Sequence, residues 1–213
     1  MAGTDLRPPP LVHFSMLRSY HLADLLTLAN ACAGTASILA MMSYLLTPEG
    51  WRVHVALGLL PVALGFDIAD GYCARWRHTH SLFGRELDSL ADIVSFGVAP
   101  VVIAYGFGMR GSLDACLLMF FMGCGISRLA RFNITAAQLA DTKGKVGYFE
   151  GTPIPSSLLL MMVLAVCFFT GRVGDNLPLG VIEIASLRWH PLSLLYFANG
   201  CTMISKTVRI PKP

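Results

Sequence analysis

Asp67-Ile-Ala-Asp70-Gly71-Tyr-Cys-Ala74-Arg75 and, after eight intervening residues, Gly84-Arg-Glu-Leu-Asp88-Ser-Leu-Ala-Asp92 decide how this chain folds. The first half closes one apolar stretch and the second opens the next, so four aspartates fall within 26 residues of a largely apolar chain. Asp67 and Asp70 are spaced i, i+3, and Asp88 and Asp92 are spaced i, i+4; on helices each pair shares one face. Ionised carboxylates are costly inside a bilayer and normally face a cavity where they bind or move something. Four together repel one another unless cations neutralise them. Donor sets made only of oxygen suit hard divalent ions such as Mg²⁺, Mn²⁺ or Ca²⁺.

Working outward, the 213 residues are 54% apolar and only 14% charged, with mean hydropathy +0.60, which is too apolar for a soluble domain. A bilayer crossing takes ~20 apolar residues, and six stretches qualify, at about 22–46, 53–74, 87–109, 112–133, 153–172 and 190–207. The expectation is an all-α integral membrane protein with six transmembrane helices and a short amino-terminal interfacial helix over His13–Tyr20. Residues 1–21 form a cytoplasmic tail with that interfacial segment, and residues 22–213 form the membrane domain. Met1–Pro10 is polar and proline-rich, unlike a cleavable signal peptide.

With six spans, twelve of the sixteen Lys and Arg residues fall on one side and Arg52, Arg110, Arg172 and Arg188 on the other. The positive-inside rule then puts both termini and the acidic motif on the cytoplasmic side. That face favours anionic lipid headgroups; no basic patch interleaved with aromatics supports nucleic-acid binding. The six cysteines are scattered without a CxxC pair and read as small packing residues.

The topology puts Asp67 and Asp70 in the last turns of one helix and Asp88 and Asp92 in the first turns of its antiparallel successor. All four then lie at similar depth in the cytoplasmic leaflet, a geometry suited to two metal ions. Thr27 and Asn30 of the first span either reach into this cavity or belong to a small-residue packing face. Arg128 and Arg131 share a face at the end of the fourth span. They either anchor it on the positive side or bind a carboxylate or phosphate bidentately, with Phe132 and Asn133 shaping the same pocket. Ser89 and Ser95 flank the acidic face. His78, His80, Lys143 and Lys145 read as solvated linker and loop residues.

Written as a pattern, the stretch is D-x₂-D-G-x₂-A-R-x₈-G-x₃-D-x₃-D, with every fixed position filled. It resembles the signature of the CDP-alcohol phosphatidyltransferase family. Leu87–Pro100, Ser127–Asn133 and Tyr148–Pro155 are similar to the serine-accepting branch of that family. The ending, Gly200–Lys206 and Ile210–Pro213, resembles its fungal endoplasmic-reticulum members.

The resemblance implies an activity: transfer of the phosphatidyl group of CDP-diacylglycerol to the hydroxyl of L-serine, with release of CMP. It implies a divalent cofactor, Mg²⁺ or Mn²⁺ and two ions, and a homodimer with its site open to the cytoplasm. Carried over position by position, it makes Asp67, Asp70, Asp88 and Asp92 metal ligands, with Asp92 also the base. It makes Gly71, Ala74, Arg75 and Gly84 contacts of the CDP moiety. Arg128, Arg131 and Phe132 are the candidates for holding serine or a lipid phosphate. Two rival readings are the same chemistry on inositol or glycerol 3-phosphate, and a divalent-cation transporter filtered by the acidic cluster.

Overall fold

The computed structural model describes residues 22–77, 82–141, 148–184, 187–205 and 209–211. Its helices are α1 (Leu22–Leu46), α2 (Gly50–Arg77), α3 (Leu82–Asp92), α4 (Ala99–Gly106), α5 (Ser112–Asp141), α6 (Ser157–Phe169) and α7 (Leu194–Ile204). A π-helical segment, Ile93–Val98, joins α3 to α4 without a break. Four short strands complete the described chain: β1 (Tyr148–Glu150), β2 (Ile182–Ile184), β3 (Leu187–Trp189) and β4 (Arg209–Pro211).

The protein is an all-α integral membrane protein. Four helical stretches are long and apolar enough to cross a bilayer: Leu22–Leu46, Gly50–Cys73, Phe83–Gly106 and Ser112–Thr135. Burial along α1 shows why these helices suit lipid. Its inward stripe is Asp24, Thr27, Asn30, Ala33, Gly34, Ser37 and Met41, while Leu25, Leu39 and Met42 face outward. Polar and small residues therefore make the helix contacts and leucines meet the hydrocarbon, as bilayer packing requires. α1 packs along α2, with Ser37 Oγ donating to the Ala56 carbonyl at 2.6 Å.

Several expectations need adjusting. The fifth and sixth apolar stretches form α6 and α7 of 13 and 11 residues, short of the ~20 that a full crossing takes. α5 continues to Asp141, past the expected end at 133, because Thr135–Ala140 is rich in helix formers. The polar stretch 172–188 holds a 3₁₀ turn and strands β2 and β3, paired antiparallel. Near the carboxyl terminus β4 pairs antiparallel with β1, Phe149 opposite Ile210. Gly151 makes this junction possible. Its φ is +76°, and a side chain there would collide with the carbonyl of Met203. All six cysteines are free. The expected interfacial helix at 13–20 lies outside the described residues.

Candidate active site

Three helices build the site. Asp67 and Asp70 lie near the end of α2, and Asp88 and Asp92 at the end of α3. α1 supplies neutral partners to one member of each pair. Thr27 donates to Asp70 Oδ2 at 2.6 Å, and Asn30 Nδ2 donates to Asp92 Oδ1 at 3.3 Å. One carboxylate oxygen from each of Asp67, Asp70 and Asp88 comes within 4.8 Å of the others. Asp70 and Asp92 are buried, and Asp67 and Asp88 half-buried.

This donor set fits a hard divalent ion. All its atoms are carboxylate oxygens, they converge, and Asp88 Oδ1 is buried without a hydrogen-bond partner among the described residues. Among the described residues, Asn30 Oδ1, on the side chain that donates to Asp92, Arg85 Nε, one turn before Asp88, and Arg128 Nε, within electrostatic reach of Asp92, are also buried and unpartnered, as are Ser157 Oγ and His190 Nε2 elsewhere in the fold. Native interiors satisfy nearly all such groups, so a concentration of them marks a place where a ligand completes the bonding.

The π-helical segment begins directly after Asp92. Pro100 has no N–H to give the Phe96 carbonyl, and the Ala99 N–H bonds instead to Val94. Ser95 Oγ then reaches the Asn30 carbonyl at 2.9 Å, and Gly34 lies so close that any side chain would strike Ser95. Ser89 is occupied differently: Asn133 Nδ2 donates to its Oγ at 3.0 Å and to Glu86 at 3.2 Å, tying α5 to α3.

The arginine pair divides. Arg128 is half-buried and within electrostatic reach of Asp92. Arg131 is exposed and turns to the carboxyl end of α7, where its Nη1 meets the Ile204 carbonyl at 3.5 Å. Phe132 is exposed beside it. The space beside Gly71 is open, with no atom within 4 Å of where a Cβ would stand, and Gly84 is half-buried in the first turns of α3. The side chains of Ala74 and Arg75, and residues His78, His80, Lys143 and Lys145, lie outside the described parts. Sequence reasoning passed over Asp24, which is buried one turn before Thr27 and within electrostatic reach of Asp70. Its signal was available, as a carboxylate on the same face of an otherwise apolar helix.

A cavity of about 470 Å³ opens at the opposite end of the bundle, between Tyr44, Phe107, Arg110, Gly174, Arg188 and His190. Its lining contains none of the candidate metal, nucleotide or acceptor residues.

Comparisons with known proteins place the chain in a family. The sequence model of the CDP-alcohol phosphatidyltransferase family matches residues 20–192. The chain belongs to that family. It is 46% identical over 204 residues to the CDP-diacylglycerol–serine O-phosphatidyltransferase of Saccharomyces cerevisiae, covering 94% of this chain and 74% of the relative. The protein of the same name from Methanocaldococcus jannaschii is 35% identical, covering 93% and 89% of the two chains. The archaetidylserine synthase of Methanothermobacter thermautotrophicus is 36% identical, covering 79% and 69%. The match begins at residue 20 and so takes in α1, with its Thr27 and Asn30 contacts, as well as the acidic motif.

Proposed function

We propose that this protein is a metal-dependent transferase that moves the phosphatidyl group of CDP-diacylglycerol to the hydroxyl of L-serine, releasing CMP. The observation that carries the reading is the convergence of aspartates from α2 and α3, gripped by α1, in a chain whose relatives bear that activity in their names. The serine oxygen attacks the phosphorus adjoining diacylglycerol, a new P–O bond forms, and the bond to the CMP phosphate breaks.

Each residue then has a task. Asp67, Asp70, Asp88 and Asp92 would hold one or two divalent ions, Mg²⁺ or Mn²⁺, which when bound offset the pyrophosphate charge and polarise the phosphorus. Asp92 accepts the serine hydroxyl proton, since a neutral alcohol is a weak nucleophile without a base in reach. The Asn30 bond to its Oδ1 fixes the carboxylate and leaves the other oxygen for the proton. The open space beside Gly71, with Ala74, Arg75 and Gly84, takes the CDP moiety. Arg128 holds the serine carboxylate, whereas Arg131 and Phe132, at the rim, suit a lipid phosphate. The positive-inside bias supports a site facing the cytoplasm. The family resemblance supports a homodimer in the endoplasmic reticulum membrane.

The test is CMP release by the purified protein with CDP-diacylglycerol and Mn²⁺, offered L-serine, inositol or glycerol 3-phosphate in turn. Release with serine alone is expected. Release with another acceptor would keep the chemistry and replace the acceptor. Mn²⁺ flux into proteoliposomes with no CMP release would instead favour a transporter.

A further inference from the structure

Asn30 is fully buried, and every polar atom of the residue near the site but one has a known task. Its backbone carbonyl takes the Ser95 hydroxyl, and its side-chain N–H₂ donates to Asp92. Its side-chain carbonyl, Oδ1, is buried without a partner among the described residues. The residue cannot simply swing away. Ser95 holds its backbone, and the contact of Gly34 with Ser95 one turn later presses α1 onto the π-helical segment. A fixed, dehydrated acceptor beside a reacting carboxylate calls for a donor, because an unmet buried carbonyl is costly.

Resting on the acceptor proposed above, we infer that Asn30 Oδ1 receives the α-ammonium group of the amino-acid acceptor. Serine offers three groups around one carbon. The hydroxyl must face Asp92 to lose its proton. The carboxylate requires a cation, and Arg128 of α5, within electrostatic reach of Asp92, has its Nε buried without a partner among the described residues. The ammonium is then the donor that remains, and Asn30 Oδ1 is the acceptor that remains. The three contacts come from α1, α3 and α5, so they surround the substrate and fix its handedness. Asn30 thereby does two things at once: it orients the base through Nδ2 and selects an amine-bearing alcohol through Oδ1.

The test compares L-serine with 3-hydroxypropionate, which keeps the hydroxyl and carboxylate and lacks the amine. In Asn30→Ala, kcat/KM for L-serine should fall ~10- to 100-fold, the range for losing a hydrogen bond to a charged group, mostly through KM. The rate with 3-hydroxypropionate should change less than about threefold beyond the loss common to both acceptors, so that discrimination collapses. Asn30→Ser, which keeps an oxygen, should restore part of it, and an unchanged KM for CDP-diacylglycerol reports that each variant is folded. Equal losses with both acceptors would overturn the inference and leave Asn30 as a positioning residue for Asp92. Loss of the Mn²⁺-induced rise in Tm would overturn it too, by making Oδ1 a metal ligand. A wild-type protein inactive with serine would defeat the proposed function itself. A wild-type protein active with serine, whose Asn30→Ala variant still rejects 3-hydroxypropionate, would defeat this inference alone.

Discussion

The two ends of the helix bundle bury carboxylates in opposite ways. Asp114, in the first turn of α5, is fully buried and fully bonded. It accepts the Gly111 N–H at 3.2 Å, the His190 N–H at 3.0 Å and His190 Nδ1 at 2.7 Å. At the other end of the same helix, ~21 Å away at 1.5 Å per residue, Arg128 faces a set of aspartates that crowd one another. Among the described side chains, Thr27 and Asn30 donate to two of those aspartates. One end is a clasp that ties α5 to the start of α7, its carboxylate satisfied within the protein, although His190 Nε2 is buried without a partner among the described residues. The other is incomplete by construction. Buried charge stabilises only when its partners are present, so the first arrangement serves the fold and the second serves a ligand.

The sharpest way to break this contrast is Asp92→Asn. The variant keeps the shape and the Asn30 neighbour but removes the base, and CMP release with serine should fall by ~10²- to 10⁴-fold. Its Tm without metal should not fall, because one of four mutually repelling carboxylates has gone. A large loss of stability would show that Asp92 is structural, like Asp114. The mirror experiment is Asp114→Ala. It strands His190 and two backbone N–H groups, and should cost ~3–5 kcal/mol of stability, read as a fall in Tm in detergent. Activity per folded molecule should survive, since no atom of the clasp approaches the aspartates.

Metal titration sharpens the same comparison. Mn²⁺ at a hundredfold excess over its Kd should stabilise the wild type by ~2.7 kcal/mol. Asp70→Asn should lose most of that gain, and Asp114→Asn should keep it. Equal gains in all three proteins would remove the metal from the acidic cluster.

The sequence disclosed the two ends unequally. Apolar runs ended by polar turns marked a first span at about 22–46, where the helix Leu22–Leu46 lies, and the motif spacing led to an expectation that four aspartates converge, of which Asp67, Asp70 and Asp88 form the described cluster and Asp92 stands outside it. Both signals are local, or are set by one antiparallel turn. The clasp was invisible, because Asp114 and His190 are 76 residues apart and neither sits in a motif. The Asn30–Asp92 bond spans 62 residues, and the placement of both near the start of their spans, Leu22–Leu46 and Phe83–Gly106, left Asn30 open between the cavity and a packing face. The π-helical segment had a visible cause in Pro100. Its consequence, Ser95 facing Asn30, depends on how closely Gly34 lets α1 approach, which only packing decides. The β1–β4 pair escaped for the same reason: three-residue strands carry almost no periodicity.

The smallest effect expected is also the most selective. Arg128 and Arg131 are three apart on one helix, and as a sequence pair they look equivalent. In the fold one faces Asp92 and the other caps the end of α7 from the surface. Lys keeps the charge but loses the planar fork that matches a carboxylate. Arg128→Lys should therefore raise the serine KM about tenfold or more, in the range of a charge-assisted bond. Arg131→Lys should change it by less than about twofold, because an exposed cation at 3.5 Å from one carbonyl contributes little and Lys can replace it. Equal effects would mean that both guanidinium groups enter the acceptor pocket, and that α5 turns on substrate binding to bring Arg131 inward. An effect in Arg131→Lys confined to the KM for CDP-diacylglycerol would give that arginine the lipid phosphate and leave the amino acid to Arg128.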